Sequence, residues 1–452
     1  MFVDVVKDFG IASILLLVGY LIREKVKLFQ KLYIPASVIG GIIGLLLGAS
    51  VLGQFCPVYL SFSENVASYS MPLLAGVFCT QFFGVKIEKR ILRNASAIGV
   101  LNILCILLQV IVGLGVVYVF CLLTNVEIPL GMGVLPFSGF YGGHGVPAIL
   151  GMTYEAAGYW TASEATSLGN TFATFGLIYG VVGGIAIINI AARKGHIDRN
   201  AGTGSLKSDE LSGYVAEDKQ GAAMKGITKG AAMNPLALHF GIVGAIIVLG
   251  YITLDWVKMI PGLSNMTITC TAMIIGLIFA VICNKTKLRK YVDRTSLLNV
   301  SGLCLEYLIV TSLSTTNLSV FVDYGALIAL LTLILLPLTT IFILRLAKRW
   351  QRENWVENAV GTFGLATGVL ATGFLLVRVA DPEMKTDASV NLATGSLISG
   401  LTVQIYYLFF FPALLISNPV TAVVITAVLT AVFYLAGNIF FNKRKINTTV
   451  SE

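Results

Sequence analysis

The sequence predicts an all-α polytopic membrane protein with two inverted repeats, each of five transmembrane helices and one re-entrant hairpin, and an extra C-terminal helix. Three observations support this fold class. Apolar residues make up 56% of the 452 residues, and charged residues make up 12%, about half the share in soluble domains. Long apolar runs recur along the chain, separated by short clusters of Lys and Arg. Two of these runs are rich in glycine, which predicts interrupted helices.

The first predicted repeat covers residues 1–192 and is followed by a polar stretch. Its apolar runs fall at 9–22, 33–54, 66–84, 95–123, 129–152 and 163–192. Run 9–22 is interpreted as a first span and not as a signal peptide, because positive charge follows it and no small-residue cleavage site is present. The stretch 193–234 mixes both signs of charge with Gly, Ala and Ser, which predicts a flexible cytoplasmic linker.

The second predicted repeat covers residues 235–416 and mirrors the first in number of runs. Its apolar runs fall at 236–258, 265–283, 295–318, 324–344, 356–380 and 388–416. A further run at 419–441 predicts an eleventh transmembrane helix. The segment 417–452 therefore consists of an extra helix and a cytoplasmic tail.

The positions of the positive charges predict the topology. If runs 129–152 and 356–380 each enter and leave on one side, every Lys and Arg except Lys7 and Lys258 lies on the cytoplasmic side. If 129–152 crosses instead, the later clusters move outside. We therefore expect two re-entrant hairpins, 129–152 entering from outside and 356–380 from the cytoplasm. Each half then has five spans, so the second is inverted, with the N-terminus outside and the C-terminus in the cytoplasm.

The two hairpins are the candidate substrate site. Glycines break a helix there, and the free N–H groups at a helix start attract anions. Arg378 could clamp a carboxylate, although pairing with Asp381 or an orientation towards the cytoplasmic surface is the favoured interpretation. The candidate substrate-binding residues are Ser138, Gly139, Gly142, Gly143, His144 and Gly145 in the first hairpin, and Gly364, Thr367, Gly368, Thr372 and Arg378 in the second.

Polar residues in the spans are candidate Na⁺ ligands. Their oxygen atoms suit a small hard cation, but local bonds to helix carbonyls or helix–helix contacts would also explain them. Glu306 is a carboxylate deep in a predicted span, where it could bind a cation, carry a proton or simply be paired in the protein interior. The candidates are Asn170, Thr171, Thr174, Asn391, Thr394, Ser396 and Glu306.

The stretch Ser138–Gly145, followed by Ala173–Gly180 and preceded by Ile34–Gly41, resembles the sodium:glutamate symporter family of bacteria. The resemblance implies Na⁺-driven glutamate uptake across the inner (plasma) membrane, two inverted five-span repeats with re-entrant loops, and a homodimer. It covers the first half well and the second half loosely. In the second half, Ala366–Gly373 lacks the expected proline and asparagine, and Gln404 stands where an aspartate is expected.

Other functions fit the sequence less well. A Na⁺- or H⁺-coupled symporter of another small organic dicarboxylate is the main alternative. A channel would show the same polarity, but inverted hairpins favour alternating access. An intramembrane hydrolase and an ATP-driven pump are disfavoured, because neither a Gly-x-Ser-x-Gly motif nor a phosphate-binding loop is present. We therefore expect no enzyme activity, no cofactor beyond the coupling Na⁺ and no nucleic-acid partner; the expected partners are glutamate, Na⁺, lipid and a second copy.

Overall fold

A computed structural model describes most of the chain as α-helix. The described residues are 2–31, 34–80, 83, 92–197, 227, 233–260, 267–316, 318–351, 354–381, 385–400, 402 and 405–442. Within these ranges there are sixteen α-helices and no β-strand. Most of the predicted linker 193–234, Gln404 and the tail after residue 442 lie outside the described residues. The helical content agrees with the predicted fold class.

The chain divides into two compact units, and each unit combines segments from both predicted repeats. Unit 1 consists of Met1–Lys86 and Asp209–Asn317, and unit 2 of Ile87–Ser208 and Leu318–Glu452. The helices of unit 1 are α1 (Phe2–Lys25), α2 (Lys27–Lys31), α3 (Ala36–Leu47), α4 (Ser70–Cys79), α9 (Pro235–Lys258), α10 (Ile268–Lys285) and α11 (Arg294–Ser314). The units therefore do not coincide with the two halves of the sequence.

The helix contacts of unit 1 form matching pairs. Helix α1 packs on α3, as α9 packs on α10. Helix α3 packs on α11, as α10 packs on α4, and the α1–α11 contact has its counterpart in α9–α4. Such a pattern is what two related three-helix segments would give. The repeats and their inversion stay predictions.

Unit 2 contains the longest helices and all the hairpin residues. Its helices are α5 (Leu92–Thr124), α6 (Leu135–Gly142), α7 (Pro147–Ala156), α8 (Ala162–Arg193), α12 (Ser319–Trp350), α13 (Trp355–Ala380), α14 (Ala388–Ser399), α15 (Phe411–Ser417) and α16 (Pro419–Phe441). Helix α8 starts at a capping box, in which Thr161 and Glu164 each accept from the other's backbone N–H. This cap fixes the start of α8, the helix against which both hairpins pack.

Nine of the described helices are long and apolar enough to cross a membrane: α1, α5, α8, α9, α10, α11, α12, α13 and α16. The chain is thus a multi-pass membrane protein. Three predicted spans are shorter or divided. Run 33–54 yields only α3, which starts after Pro35 and ends at Gly48, and run 66–84 yields α4. Run 388–416 is divided into α14, a π-helical turn Tyr406–Phe410, and α15.

Candidate functional site

The first glycine-rich run folds as two short helices that turn back on themselves. Helix α6 ends at Gly142, and the next residue, Gly143, has a φ of 70° and a ψ of −164°, which belong to a region that is essentially restricted to glycine. Helix α7 then returns, and the hydroxyl of Tyr154 donates to the carbonyl oxygen of Gly131, just before α6, at 3.2 Å. The chain therefore enters and leaves this hairpin at adjacent points.

Small residues allow the first hairpin to pack closely against α8. A Cβ atom added to Gly139 would lie 2.4 Å from the carbonyl oxygen of Gly169, and one added to Gly169 would lie 2.3 Å from Cβ of Pro147. Both α6 and α7 thus contact the same part of α8. Beyond it, at the turn, Nε2 of His144 lies 3.0 Å from Oγ1 of Thr174 on α8.

The second glycine-rich run is also folded in two. Helix α13 loses helical geometry at Gly368 (φ −150°, ψ 35°) and Val369 (φ 70°, ψ 167°). A Cβ atom on Gly364 would lie 2.7 Å from Cα of Gly373, and one on Gly361 would lie 2.7 Å from Cγ2 of Val377. These pairs place residues 355–367 and 370–380 side by side and antiparallel, as the two arms of a hairpin.

The turns of the two hairpins touch each other within unit 2. A Cβ atom on Gly143 would lie 2.7 Å from Cγ1 of Val369. Helix α8 supports the second turn as well, since a Cβ atom on Gly176 would lie 2.2 Å from the carbonyl oxygen of Thr367. We call the residues Gly143–Val146 and Gly368–Val369 the tips. Each tip joins the carbonyl end of one helix to the amide end of the next.

This arrangement offers opposite partial charges at one place. The carbonyl ends of α6 and of the first arm carry partial negative charge, and the amide ends of α7 and of the second arm carry partial positive charge. A cation suits the first kind of terminus, and a carboxylate suits the second. Two hairpin tips in contact can therefore hold an anion and a small cation together.

A comparison with protein families identifies the chain. The family model described as sodium/glutamate symporter matches residues 1–371, which include the first hairpin and the tip of the second. The chain belongs to this family. No curated protein matches it. Membership implies Na⁺-coupled glutamate transport, so the chain is a transporter with Na⁺ as its coupling ion.

The symporter's predicted substrate residues have different environments. All except Arg378 lie in or beside the tips. Three hydroxyls donate to carbonyl oxygens of their own helix: Ser138 to Leu135 and Thr367 to Phe363, both at 2.8 Å, and Thr372 to Gly368. Arg378 is exposed in the last turn of the second arm, away from the tip. The backbone and His144 therefore dominate the chemistry of the tips.

Six of the seven predicted Na⁺ residues lie on two helices, α8 and α14. On α8, Thr171 donates to Ser167 at 2.9 Å, and Thr174 donates to Asn170 at 3.0 Å while contacting His144. On α14, Ser396 donates to Ala393 at 2.8 Å. The amide of Asn391 donates to Oδ1 of Asn358 at 3.3 Å, which ties α14 to the second hairpin. Thr394 is buried on the same helix. Through His144, Thr174 contacts the first tip.

Glu306 belongs to a different part of the symporter. It lies on α11 in unit 1, and its Oε2 accepts a hydrogen bond from the hydroxyl of Tyr20 at 2.6 Å. The carboxylate is half-buried beside Ser13, Asn299 and Tyr307, in a cavity of about 600 Å³. The tips belong to unit 2, so the structure does not group Glu306 with them.

The sequence reasoning missed two amides on α5. Asn102 and Gln109 are both fully buried, and Nε2 of Gln109 donates to the carbonyl oxygen of Ala366 at 2.9 Å, close to the second tip. Their signal was present, because a polar side chain inside a long apolar helix marks a functional position. The predicted Na⁺ residues came from the spans that follow each hairpin, together with Glu306, and did not include the helix that precedes the first hairpin.

Proposed function

We propose that this symporter takes up glutamate with at least two Na⁺ by alternating access, and that the substrate is held where the two hairpin tips meet. The contact between Gly143 and Val369 is the observation that carries this proposal. Interrupted helices that meet at depth in the membrane provide unpaired backbone groups, and such groups form the binding sites of many secondary transporters.

The substrate carboxylates are assigned to the amide ends of α7 and of the second arm. Helix starts stabilise anions by about 0.3–1 kcal/mol at exposed sites and by more where the site is buried. His144 is held by Thr174 and orients the first tip towards the substrate. The carbonyl ends and the hydroxyl-bearing helices α8 and α14 are assigned to Na⁺, since oxygen ligands suit hard cations.

The stoichiometry follows from charge. Glutamate carries one net negative charge, and an inside-negative membrane opposes its entry by about 2.3 kcal/mol per 100 mV. One Na⁺ cancels this opposition, and a second makes the membrane potential drive uptake. We infer that two or more Na⁺ accompany each glutamate. Competition for uptake by unlabelled dicarboxylates distinguishes the alternative substrate class.

The topology in the proposal is that of the sequence analysis. Hairpin 129–152 enters from outside and hairpin 356–380 from the cytoplasm, within inverted repeats 1–192 and 235–416. The contact between Tyr154 and Gly131 supports re-entry, because a crossing segment would separate those residues by the thickness of the membrane. The N-terminus outside, the cytoplasmic C-terminus, the plasma-membrane location and a homodimer complete the proposal.

Uptake by purified protein in liposomes tests the mechanism. Labelled glutamate should accumulate with an inward Na⁺ gradient, and a K⁺-diffusion potential, negative inside, should accelerate it. Unlabelled aspartate and dicarboxylates, added separately, define the substrate class. Uptake that needs no Na⁺, or that ignores the potential, would refute coupling to two or more Na⁺.

Cysteine labelling tests the topology of the first hairpin. Val126 precedes it and Gly158 follows it, and both lie outside the long helices. In a parent whose partly exposed Cys56 and Cys121 are replaced by Ser, Val126→Cys and Gly158→Cys should react with an impermeant reagent from the same side of the membrane, and that parent alone is the control. Labelling from opposite sides would mean that the segment crosses, and the hairpin proposal would be abandoned.

A further inference from the structure

Buried polar atoms without a partner recur on the first arm of the second hairpin and on two helices that pack against it, α5 and α14. Each of the following atoms is buried and has no hydrogen-bond partner among the described residues. They are Oδ1 and Nδ2 of Asn102, Oε1 of Gln109, Oε2 of Glu357, Oγ1 of Thr362 and Oδ1 of Asn391. We call the side chains of these five residues the polar seam.

Thr362 shares one face of the arm with the two residues that contact Gln109 and Asn391, whereas Glu357 lies about 100° around the helix from Asn358. Asn358, Thr362 and Ala366 are four residues apart, which places them on one face of the helix over about 12 Å. At the end of this face nearest the tip, Nε2 of Gln109 donates to the carbonyl oxygen of Ala366 at 2.9 Å. At the end nearest the base, Nδ2 of Asn391 donates to Oδ1 of Asn358 at 3.3 Å. The seam thus extends from the base of the hairpin to its tip.

Three helices enclose the seam. Helices α5, α13 and α14 pack against one another in all three pairs. Asn102 and Gln109 are seven residues apart on α5 and so share a face of that helix. The amide of Gln109 also lies 3.4 Å from Oγ1 of Thr339 on α12, which fixes its position near the tip. The unpartnered atoms are therefore enclosed by protein and do not face lipid.

The chemistry of the seam suits a monovalent cation. Five of its six unpartnered atoms are oxygens, from amides, a hydroxyl and a carboxylate. A buried polar group without a partner is destabilising, so a ligand that satisfies oxygens would stabilise these five residues. Oxygens that bind a hard cation at several successive points, each weakly, allow the ion to move from one point to the next.

We propose that the polar seam is the path by which a coupling Na⁺ travels between the tip of the second hairpin and its base. Gln109 is the ligand at the tip, Asn102 and Thr362 are ligands along the arm, and Asn391 and Glu357 lie at the base. The proposal rests on the proposed function for the identity of the ion. It assigns a route that the predicted Na⁺ residues, except Asn391, do not include.

Two seam variants and one matched control test the route. Thr362→Val and Asn102→Leu each remove seam oxygens without adding charge. Thr332→Val is the control, because Oγ1 of Thr332 is likewise buried without a partner in unit 2, but on α12 and outside the seam. The measurement is the Na⁺ concentration that gives half-maximal glutamate uptake, with glutamate affinity measured at saturating Na⁺.

Both seam variants should raise that Na⁺ concentration about tenfold, the effect of losing one buried ligand, and leave the glutamate KM within about twofold. The control should leave both values within about twofold. Equal shifts in the control and the seam variants, or a change in glutamate KM alone, would overturn the proposal.

Binding of radiolabelled Na⁺ to the purified protein separates this proposal from the proposed function. If the unmutated protein shows no Na⁺-dependent uptake, the proposed function fails, and the seam is judged on binding alone. Weaker Na⁺ binding in Thr362→Val than in Thr332→Val supports the seam. Equal binding in the two variants rejects it, whether or not uptake occurs. Both variants should elute as folded protein in size-exclusion chromatography.

Discussion

The two hairpins reach similar shapes by different means. In the first, four residues separate two short helices, and both helices rest on α8 through glycines such as Gly139 and Gly169. In the second, helical geometry is lost at two residues, and the arms rest on each other through Gly364 and Gly373. Both hairpins therefore rest on α8, and the arms of the second hairpin are in addition packed directly against each other.

The tips differ in backbone strain. Gly143 and Val369 both have a φ of 70° and an extended ψ. This region suits glycine, but it costs a valine on the order of 1–3 kcal/mol and persists only where the surroundings hold it. The second tip is therefore held under strain by its contacts, and the first is not. Variants of the two tips can separate these roles.

The largest effect is expected at the contact between the tips. Gly143→Ala places a Cβ atom 2.7 Å from Cγ1 of Val369 and forces alanine into a backbone region meant for glycine. The tips should move apart, and glutamate uptake should fall about 100-fold, as expected when binding groups shift by about 1 Å. Uptake into liposomes at saturating Na⁺ measures the loss.

Two further variants sharpen this result. Adding Val369→Ala to Gly143→Ala removes the opposing methyl group and should recover about tenfold of the lost uptake. Gly158→Ala is the control, because Gly158 has a φ of 75° but nothing within 4 Å of an added Cβ. If Gly158→Ala impairs uptake as strongly as Gly143→Ala, backbone geometry alone accounts for the loss and the contact between the tips is unimportant.

An intermediate effect is expected from two hydroxyls near the tips, that of Thr174 on α8 and that of Thr367 in the second hairpin. Thr174→Val removes the hydrogen bond that holds His144, whereas Thr367→Val removes a hydroxyl that donates within its own helix. The first variant should raise the glutamate KM about tenfold, and the second by less than about threefold. Initial rates over a range of glutamate concentrations give both values. Equal effects on the glutamate KM would show that the hydrogen bond between Thr174 and His144 does not contribute to glutamate binding.

The smallest effect is expected at Arg378. The side chain is exposed in the last turn of the second arm, so Arg378→Gln should leave the glutamate KM within about twofold. Competition between labelled glutamate and unlabelled substrate measures this. A rise of about 100-fold would restore the alternative interpretation from the sequence, in which this arginine clamps a substrate carboxylate.

Much of the helical plan could be predicted because it depends on local composition. Gly142, Gly143 and Gly145 predicted a break, and α6 ends at Gly142. Gly368 predicted the second break, but the strained residue beside it could not be foreseen, since valine adopts a positive φ only when tertiary contacts impose it. Hydropathy also could not reveal that each compact unit takes helices from both halves of the chain.

The candidate site was predicted in outline and not in detail. The glycine-rich tips and the hydroxyls on α8 were identified by residue type, and their roles in binding stay predictions. Asn102 and Gln109 were missed because single amides hardly change the mean hydropathy of a 33-residue helix. Glu306 was grouped with the Na⁺ residues only because it lies deep in a predicted span. Its depth in the membrane does not reveal which compact unit contains it.

The last helix, α16, has a practical consequence. Helix α16 packs on α5 and α12. Asn438 accepts a hydrogen bond from the indole of Trp350 at 3.2 Å, and a Cβ atom on Gly437 would lie 2.3 Å from Cη2 of the same ring. It is thus an integral part of unit 2. A fluorophore attached at the end of α16 would report on the unit that contains both hairpins, and a dye at the end of α1 would report separately on unit 1.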